Sequence, residues 1–518
     1  VEFRDPTKHE WNERDERNHS IELAESLSPD WIMSVDHDEV PEDRLTRKYF
    51  DRLMSHPNPE VCIYDFGWLN HWDTARVVRV DPPWASSYNS SMRGFRMWRH
   101  NPASPRRITG GTERGLHCGN SPDFSDSAKR ISSVRMRHFG YMRISDRVRK
   151  YNRYQQVLDP NPDMLLTGGG YSHLVREENM QLSPYMPQNG IMFTMLMHSG
   201  ESATDLFRIL DTLYSLCDQI VLVWTDDCEI PGPIAEVAMA YDAEWVFSQM
   251  PEEGSLAECR NAALDKGQES VRWVLTLDPD EHFANSFHDV VALRRMAEAT
   301  DSFGWMFQFK NHRRDGTFNM SETVRMFVLD RGGLIRYSGR VHEKLEKAFE
   351  ELRKRGVHPQ VRYAPFTIEH FGLAKSDEEM QAKLDKYTKL LAKAIEEEPL
   401  NCGHWTALGL QYGNDGFEAE QAACFAIARE CAGGAYLPHK CSAQLMLRQA
   451  RRAYEHVLHT LANSHPFRSE AEKIYEWLSH HAPEMPLSGN ARLGKPKKPD
   501  VDIDKLVGIY DQARKVVD

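Results

Sequence analysis

Trp31-Ile-Met-Ser-Val-Asp36-His-Asp38-Glu39 and, 242 residues later, Trp273-Val-Leu-Thr-Leu-Asp278-Pro-Asp280-Glu281 are one signature written twice. In each copy an aromatic and four mostly apolar residues run straight into Asp-x-Asp-Glu. Such a run reads as a buried strand whose C-terminal end delivers carboxylates to a site. Other landmarks keep their order around both copies. Arg17-Asn18 precedes Asp36 by 18 residues and Arg260-Asn261 precedes Asp278 by 17, while His138-Phe139-Gly140 and His370-Phe371-Gly372 follow at 102 and 92. An ordered set repeated at long spacing is the mark of a duplicated domain.

Outward from the second copy, strands alternate with helices. The pattern predicts strands at 191–197, 219–224, 244–247 and 273–277, with helices at 203–216, 234–241 and 255–266 between them. That alternation implies a mainly parallel sheet, with Thr225-Asp226-Asp227 and the Asp278 to Glu281 turn emerging at the same edge. The first copy reads as a helix at 15–27 and strands at 31–35 and 61–68, followed by a Pro-, Ser-, Gly- and Arg-rich loop over 81–127. A run of Arg and Lys from Arg130 to Lys150 reads as a solvated helix after a strand. The second copy has some 70 residues before its Arg-Asn and the first only 16, so the first is expected to lack its opening strands.

Beyond residue 378 the pattern is helical. Trp405-Thr-Ala-Leu408-Gly409-Leu-Gln-Tyr412 fits the tetratricopeptide spacing W-x2-L-G-x2-Y, and Phe425 and Ala428 fall where that repeat packs its second helix. A helix pair at 443–461 and 468–480 follows, then a Pro- and Lys-rich stretch at 483–499 and an amphipathic helix at 502–517. The chain thus divides into a first α/β domain (1–160), a linker (161–190) with Gly168-Gly169-Gly170, a second and complete α/β domain (191–377), a helical region (378–485), and a linker with a terminal helix (486–518).

With 518 residues, 41% hydrophobic and 27% charged, the composition is that of a globular protein of several domains. No apolar run approaches the roughly 20 residues of a membrane span. A net charge of −13 disfavours clamping nucleic acid over a broad surface. Nine cysteines without framework spacing point to a reducing, cytoplasmic setting.

A strand ending in Asp-x-Asp-Glu after a helix carrying Arg-Asn resembles the family 2 glycosyltransferases of the GT-A fold. With Val341-His342-Glu343 and His370-Phe371-Gly372 added, the chain is similar to the subgroup with tetratricopeptide-like helices after the catalytic domain. The resemblance implies two tandem GT-A-like, Rossmann-like α/β domains and a metal-dependent, inverting transfer of sugar from a nucleoside-diphosphate sugar, a UDP-sugar first, to a hydroxyl. It implies Mn²⁺ or Mg²⁺ on Asp280, with Asp278 on the ribose or a metal-bound water, and a further ligand from His342 or His370. The first-copy counterparts are Asp36, Asp38, His117 and His138, although Leu116-His117-Cys118 lacks the carboxylate of Val-His-Glu. Thr194, Asp227 and Arg260 are expected at the donor. Glu343 is the first candidate for general base and Glu281 the second. The family's Asn-Glu after the first strand is replaced by His198-Ser-Gly-Glu201. The acceptor stays open among glycan, protein, lipid-linked intermediate, small molecule and modified DNA base, and the helices suit a protein partner. Two alternatives stand beside this reading: one or both copies serve as a binding scaffold, or two active sites add two sugars in turn.

Overall fold

The computed structural model describes residues 12–81, 94–111, 118–157, 174, 180–186, 189–249, 255–299, 301–313, 316–340, 343–374, 377–414, 417–432, 438, 441–447, 449, 468–481 and 501–517. His117, His342, the Gly168-Gly169-Gly170 linker, most of the helix expected at 443–461 and the 483–499 stretch lie outside them.

The described elements run, in the first half, α1 (Glu13–Glu25), β1 (Trp31–Met33), β2 (Glu39–Pro41), α2 (Arg47–Met54), β3 (Ile63–Asp65), β4 (Trp68–Asn70), β5 (Val77–Arg79), β6 (Phe95–Arg99), β7 (Lys129–Ile131), β8 (Met136–His138), α3 (Ile144–Val157) and β9 (Leu182–Pro184). The central part continues with β10 (Gly190–Met197), α4 (Ala203–Leu213), β11 (Gln219–Trp224), α5 (Gly232–Ala240), β12 (Glu244–Phe247), α6 (Leu256–Leu264), β13 (Val271–Thr276), β14 (Glu281–Phe283), α7 (Ser286–Met296), β15 (Gly304–Arg313), β16 (Phe318–Val328), α8 (Glu346–Lys354) and β17 (Val361–Leu373). Helices close the chain: α9 (Asp377–Glu397), α10 (Cys402–Asn414), α11 (Glu418–Cys431), α12 (Arg468–His481) and α13 (Ile503–Val517).

An eight-stranded sheet in the order β12-β11-β10-β13-β16-β15-β17-β14 dominates. β10 to β13 are parallel, as two-sided burial of their apolar runs demands; β16 enters antiparallel. Helices cover both faces, with Phe193, Leu222, Trp273 and Leu275 on one and Val221, Val223, Val274 and Phe327 on the other. The first half holds a four-stranded sheet, β1-β6-β3-β7, and a three-stranded one, β2-β8-β4. The fold is mixed α/β with helices after it, as expected.

Three local readings change. The strand expected at 61–68 is two strands, broken where Gly67 turns with φ +57°. β6 lies inside the stretch expected to be loop, its Phe95-x-Met97-Trp98 pattern hidden among Arg and Ser. The basic run is only in part a solvated helix: α3 follows β8 and exposes Arg149, but Arg135 and Arg147 are buried, Arg135 against Glu42 and Glu298. Arg135 reaches across to the second half through Glu298, whereas Arg147 pairs with Asp73 inside the first. Between the halves Tyr49 Oη donates to the Ser215 carbonyl at 2.7 Å and Ser215 Oγ to the Ile131 carbonyl at 2.7 Å.

The helical region is tied to the large sheet. Arg340 pairs with Glu397 and Lys347 with Glu398. Its core gathers Leu390, Trp405, Leu408, Tyr412 and Cys424, and α13 returns to it through Leu506 and Tyr510. Trp405 donates to the Pro399 carbonyl at 2.8 Å, so its one polar atom is satisfied inside that core. Among the described residues no helix is long and apolar enough to cross a membrane.

Candidate active site

The second signature forms a turn between β13 and β14 that closes on itself. The Asp278 amide donates to Glu281 Oε2 at 2.9 Å, and the Glu281 amide donates to the Asp278 carbonyl at 3.0 Å. Arg325 on β16 reaches both Glu281 and, at 3.2 Å, Asp278 Oδ2. From the other side Arg260 on α6 donates to Thr276 Oγ1 at 2.9 Å, to Asp278 Oδ1 at 2.8 Å and to Glu343. Burial works against ionising Asp278, yet the two guanidiniums hold its carboxyl well below the usual carboxylate range. Burial pushes Glu281 the opposite way, with Arg325 opposing and the Asp278 charge assisting the rise.

Asp280 points away from this network toward β17. Its Oδ1 lies 3.5 Å from His370 Nε2. The ring's other nitrogen fixes what Nε2 offers. His370 Nδ1 is 2.6 Å from Asn311 Oδ1, and the Asn311 amide nitrogen is committed to the Asn319 carbonyl and Ser321 Oγ at 3.1 and 2.9 Å. The Asn311 oxygen must therefore accept from Nδ1–H, so that Nε2, the nitrogen facing Asp280, is the one a metal would take from this ring. Sheet register sets this up: His370 stands opposite Glu281 on β14 and Asn311 on β15. Gly372 leaves the space open, since a methyl there would come within 3 Å of both His370 Nε2 and Asp280 Oδ2.

The same contacts recur in the first half. The Asp36 amide donates to Glu39 Oε2 at 2.9 Å, and Arg96 pairs with Glu39 as Arg325 does with Glu281. Arg17 reaches Asp36 Oδ2 at 3.0 Å and Ser34 Oγ at 3.4 Å, matching Arg260 on Asp278 and Thr276. Asn18 exchanges two hydrogen bonds with the Ile108 backbone, and Asn261 does so with Tyr337. His138 Nε2 lies 3.4 Å from Asp38 Oδ2, and its Nδ1 is 3.0 Å from Asn70 Oδ1. His71 stacks on Phe139 at 4.6 Å as His312 does on Phe371 at 4.8 Å. The partner of the arginine differs: the Nε of Arg17 is taken by Glu13, where Arg260 has Glu343.

The structure brings Arg260, Asp278, Glu281 and Glu343 into one network and sets Asp280 with His370 beside it. Asp36 with Arg17, and Asp38 with His138, are gathered likewise in the first half. Thr194 does not join them through its side chain; it is buried inside β10, paired with Thr276 across the sheet. Asp227 is exposed just past β11, while its neighbour Asp226 accepts from the Ser199 amide and hydroxyl at 2.8 and 2.6 Å. Arg325, Asn311, Arg96 and Asn70 were missed. The signal was available in Asn70-His71 and Asn311-His312, a dipeptide that recurs before each His-Phe-Gly.

Two ligands of one divalent cation at about 2.1 Å, set at right angles, stand roughly 3 Å apart, so a carboxylate oxygen and an imidazole lone pair 3.5 Å apart fit such a pair. Substrate oxygens would complete the shell. Among the described residues no cluster of three or more His, Cys, Asp or Glu side chains is arranged around a metal position.

No protein-family profile matches the chain, and no curated protein does. Among solved structures, 4-diphosphocytidyl-2C-methyl-D-erythritol synthase from Anaerococcus prevotii aligns at 16% identity over 37% of this chain and 92% of its own, with a TM-score of 0.25. Glucosyl-3-phosphoglycerate synthase from Mycobacterium tuberculosis, in complex with Mn²⁺, uridine diphosphate and glucosyl-3-phosphoglycerate, aligns at 12% identity over 40% of this chain and 80% of its own, with a TM-score of 0.27. A mycobacterial protein aligns at 9% identity over 40% and 74%, with a TM-score of 0.29. Scores this low leave the residue roles to the geometry.

Proposed function

We propose that the chain is a metal-dependent glycosyltransferase whose working site is the second one, with an inverting transfer from a nucleoside-diphosphate sugar to an acceptor hydroxyl. The observation that carries this reading is the Asp280–His370 pair, a carboxylate oxygen and an imidazole nitrogen facing one gap at the edge of an α/β sheet. Asp280 and His370 would hold Mn²⁺ or Mg²⁺, which when bound supplies the charge that stabilises a departing diphosphate. Asp278, kept ionised by Arg260 and Arg325, is placed to receive the nucleoside's ribose hydroxyls. Glu343 takes the proton of the acceptor hydroxyl as it attacks, and its partner Arg260 keeps the carboxylate aimed. Glu281, committed to the Asp278 amide and Arg325, holds the turn and is the lesser candidate for base. A UDP-sugar is the donor class to try first, following the sequence resemblance.

The recurrence of contact after contact supports reading the halves as tandem GT-A-like modules, and the helices after them as tetratricopeptide-like. The test is hydrolysis of a panel of nucleotide-sugars with Mn²⁺, Mg²⁺ or chelator. Metal-dependent release of sugar, lost in Asp280→Ala with the fold intact, is expected; release that ignores both chelator and Asp280→Ala overturns the proposal.

A further inference from the structure

The first site holds one group that its sequence signature does not announce. Asp38 Oδ2 faces His138 Nε2 at 3.4 Å, while His138 Nδ1 lies 3.0 Å from Asn70 Oδ1, which accepts from it. A positive charge of the protein stands beside this pair. Lys150, on α3, brings its Nζ to 3.5 Å from the same Asp38 Oδ2, with the ammonium 4.3 Å above the Tyr141 ring centroid. The three atoms converge over Gly140. A methyl on that glycine would come within 3 Å of Asp38 Oδ2, Lys150 Nζ and His138 Nε2 together. That is the place which, over Gly372, lies between Asp280 and His370.

We propose that Lys150 is the built-in cation of the first site: its ammonium takes the place of a divalent ion beside Asp38 and His138, and the first site binds no metal. The inference rests on reading Asp280 and His370 as the metal pair of the second site. A divalent ion entering beside a fixed ammonium meets like charge at contact distance in a half-buried pocket, where water screens poorly. The ammonium also offers donors that a carboxylate and an imidazole can share, so the site loses nothing by staying metal-free. A lysine is a compact point charge with three rotatable donors, which suits it to this exchange better than the planar fork of an arginine. The ligand chemistry left to such a site is that of an anion approaching Lys150, not of a metal-bridged diphosphate.

Counting bound Mn²⁺ on the full chain by the electron paramagnetic resonance of free Mn²⁺ tests this. The wild-type chain is expected to bind one ion tightly, Asp280→Asn to bind none, and Asp38→Asn still to bind one. Lys150→Met, which keeps length and packing, should add a second ion, and Asp38→Asn on that background should remove it. Lys150→Gln serves as a second variant should methionine disturb α3. Two ions on the wild-type chain, one of them lost in Asp38→Asn, would overturn the proposal, as would folded Lys150→Met and Lys150→Gln chains that bind no additional ion. If the wild-type chain binds none while Lys150→Met gains one, the reading of the second site fails and this inference stands.

Discussion

Arg294 of α7 donates to Asp65 of β3 at 2.9 Å across 229 residues of sequence, and neither side chain is more than 1% exposed. The same guanidinium also reaches the Asp65 and Ser132 carbonyls at 3.3 and 3.2 Å. A charge carried into a dry contact costs several kcal/mol unless it is paired and hydrogen-bonded, and here it is both. The two halves are therefore joined by groups that water does not replace.

Removing one partner strands the other. Arg294→Met is expected to lower the unfolding free energy by about 3–5 kcal/mol, and Asp65→Leu on that background to recover part of the loss. Urea titration of the three variants checks this; strictly additive losses would mean that the pair is not coupled.

The site variants should separate by role. Glu343→Gln is expected to lose about 10² to 10⁴ in transfer rate while keeping donor affinity. Glu281→Gln should instead lower stability and loosen donor binding, because its carboxylate closes the Asp278 turn. Single-turnover kinetics with donor titration distinguishes the two; a Glu343→Gln enzyme at wild-type rate removes Glu343 from the role of base.

Asp38→Ala should reduce turnover far less than Asp280→Ala. Comparable losses, measured as kcat/KM on the same donor and acceptor, would favour two cooperating sites.

Asn311 acts through His370. Its replacement by alanine frees the imidazole to rotate and to change tautomer, and is expected to weaken Mn²⁺ binding about 10- to 100-fold with little change in donor-independent fold stability. Metal titration against thermal unfolding reads both at once.

Acid should loosen the first half. Burial, above all, pushes both His56 and His71 down to about 4, so the folded chain keeps them neutral while the unfolded chain protonates them near 6.5. A lowered histidine binds fewer protons folded than unfolded, so stability is full above about 6.5 and falls as pH drops toward 4. The loss is on the order of 3 kcal/mol per histidine. Melting temperature against pH for wild type and His56→Phe shows it; an unchanged slope in the variant would remove His56 from the account.

The parallel strands are legible because their apolar runs are long and bounded: the pattern predicts 191–197 and 219–224, and β10 and β11 cover those residues. β15, β16 and β17 were not read. Their faces mix Lys, Asn, Glu and Thr with aromatics, since one side meets water, and an antiparallel strand of that kind leaves a weaker pattern than a doubly buried one. The acidic turns and His-Phe-Gly stood out by repetition. Arg325 and Asn311 did not, because each sits mid-strand and only sheet register shows what it faces.

Gly140 and Gly372 carry a consequence of their own. Each is a bare floor tile under a cluster of polar atoms, and neither needs its glycine for backbone reasons, as both are absent from the positive-φ positions among the described residues. What each position forbids is volume. Alanine at either one would intrude on the ligand's seat without unmaking the sheet, which gives the two sites separate keys: one methyl group can lock the first and leave the second open, or the reverse.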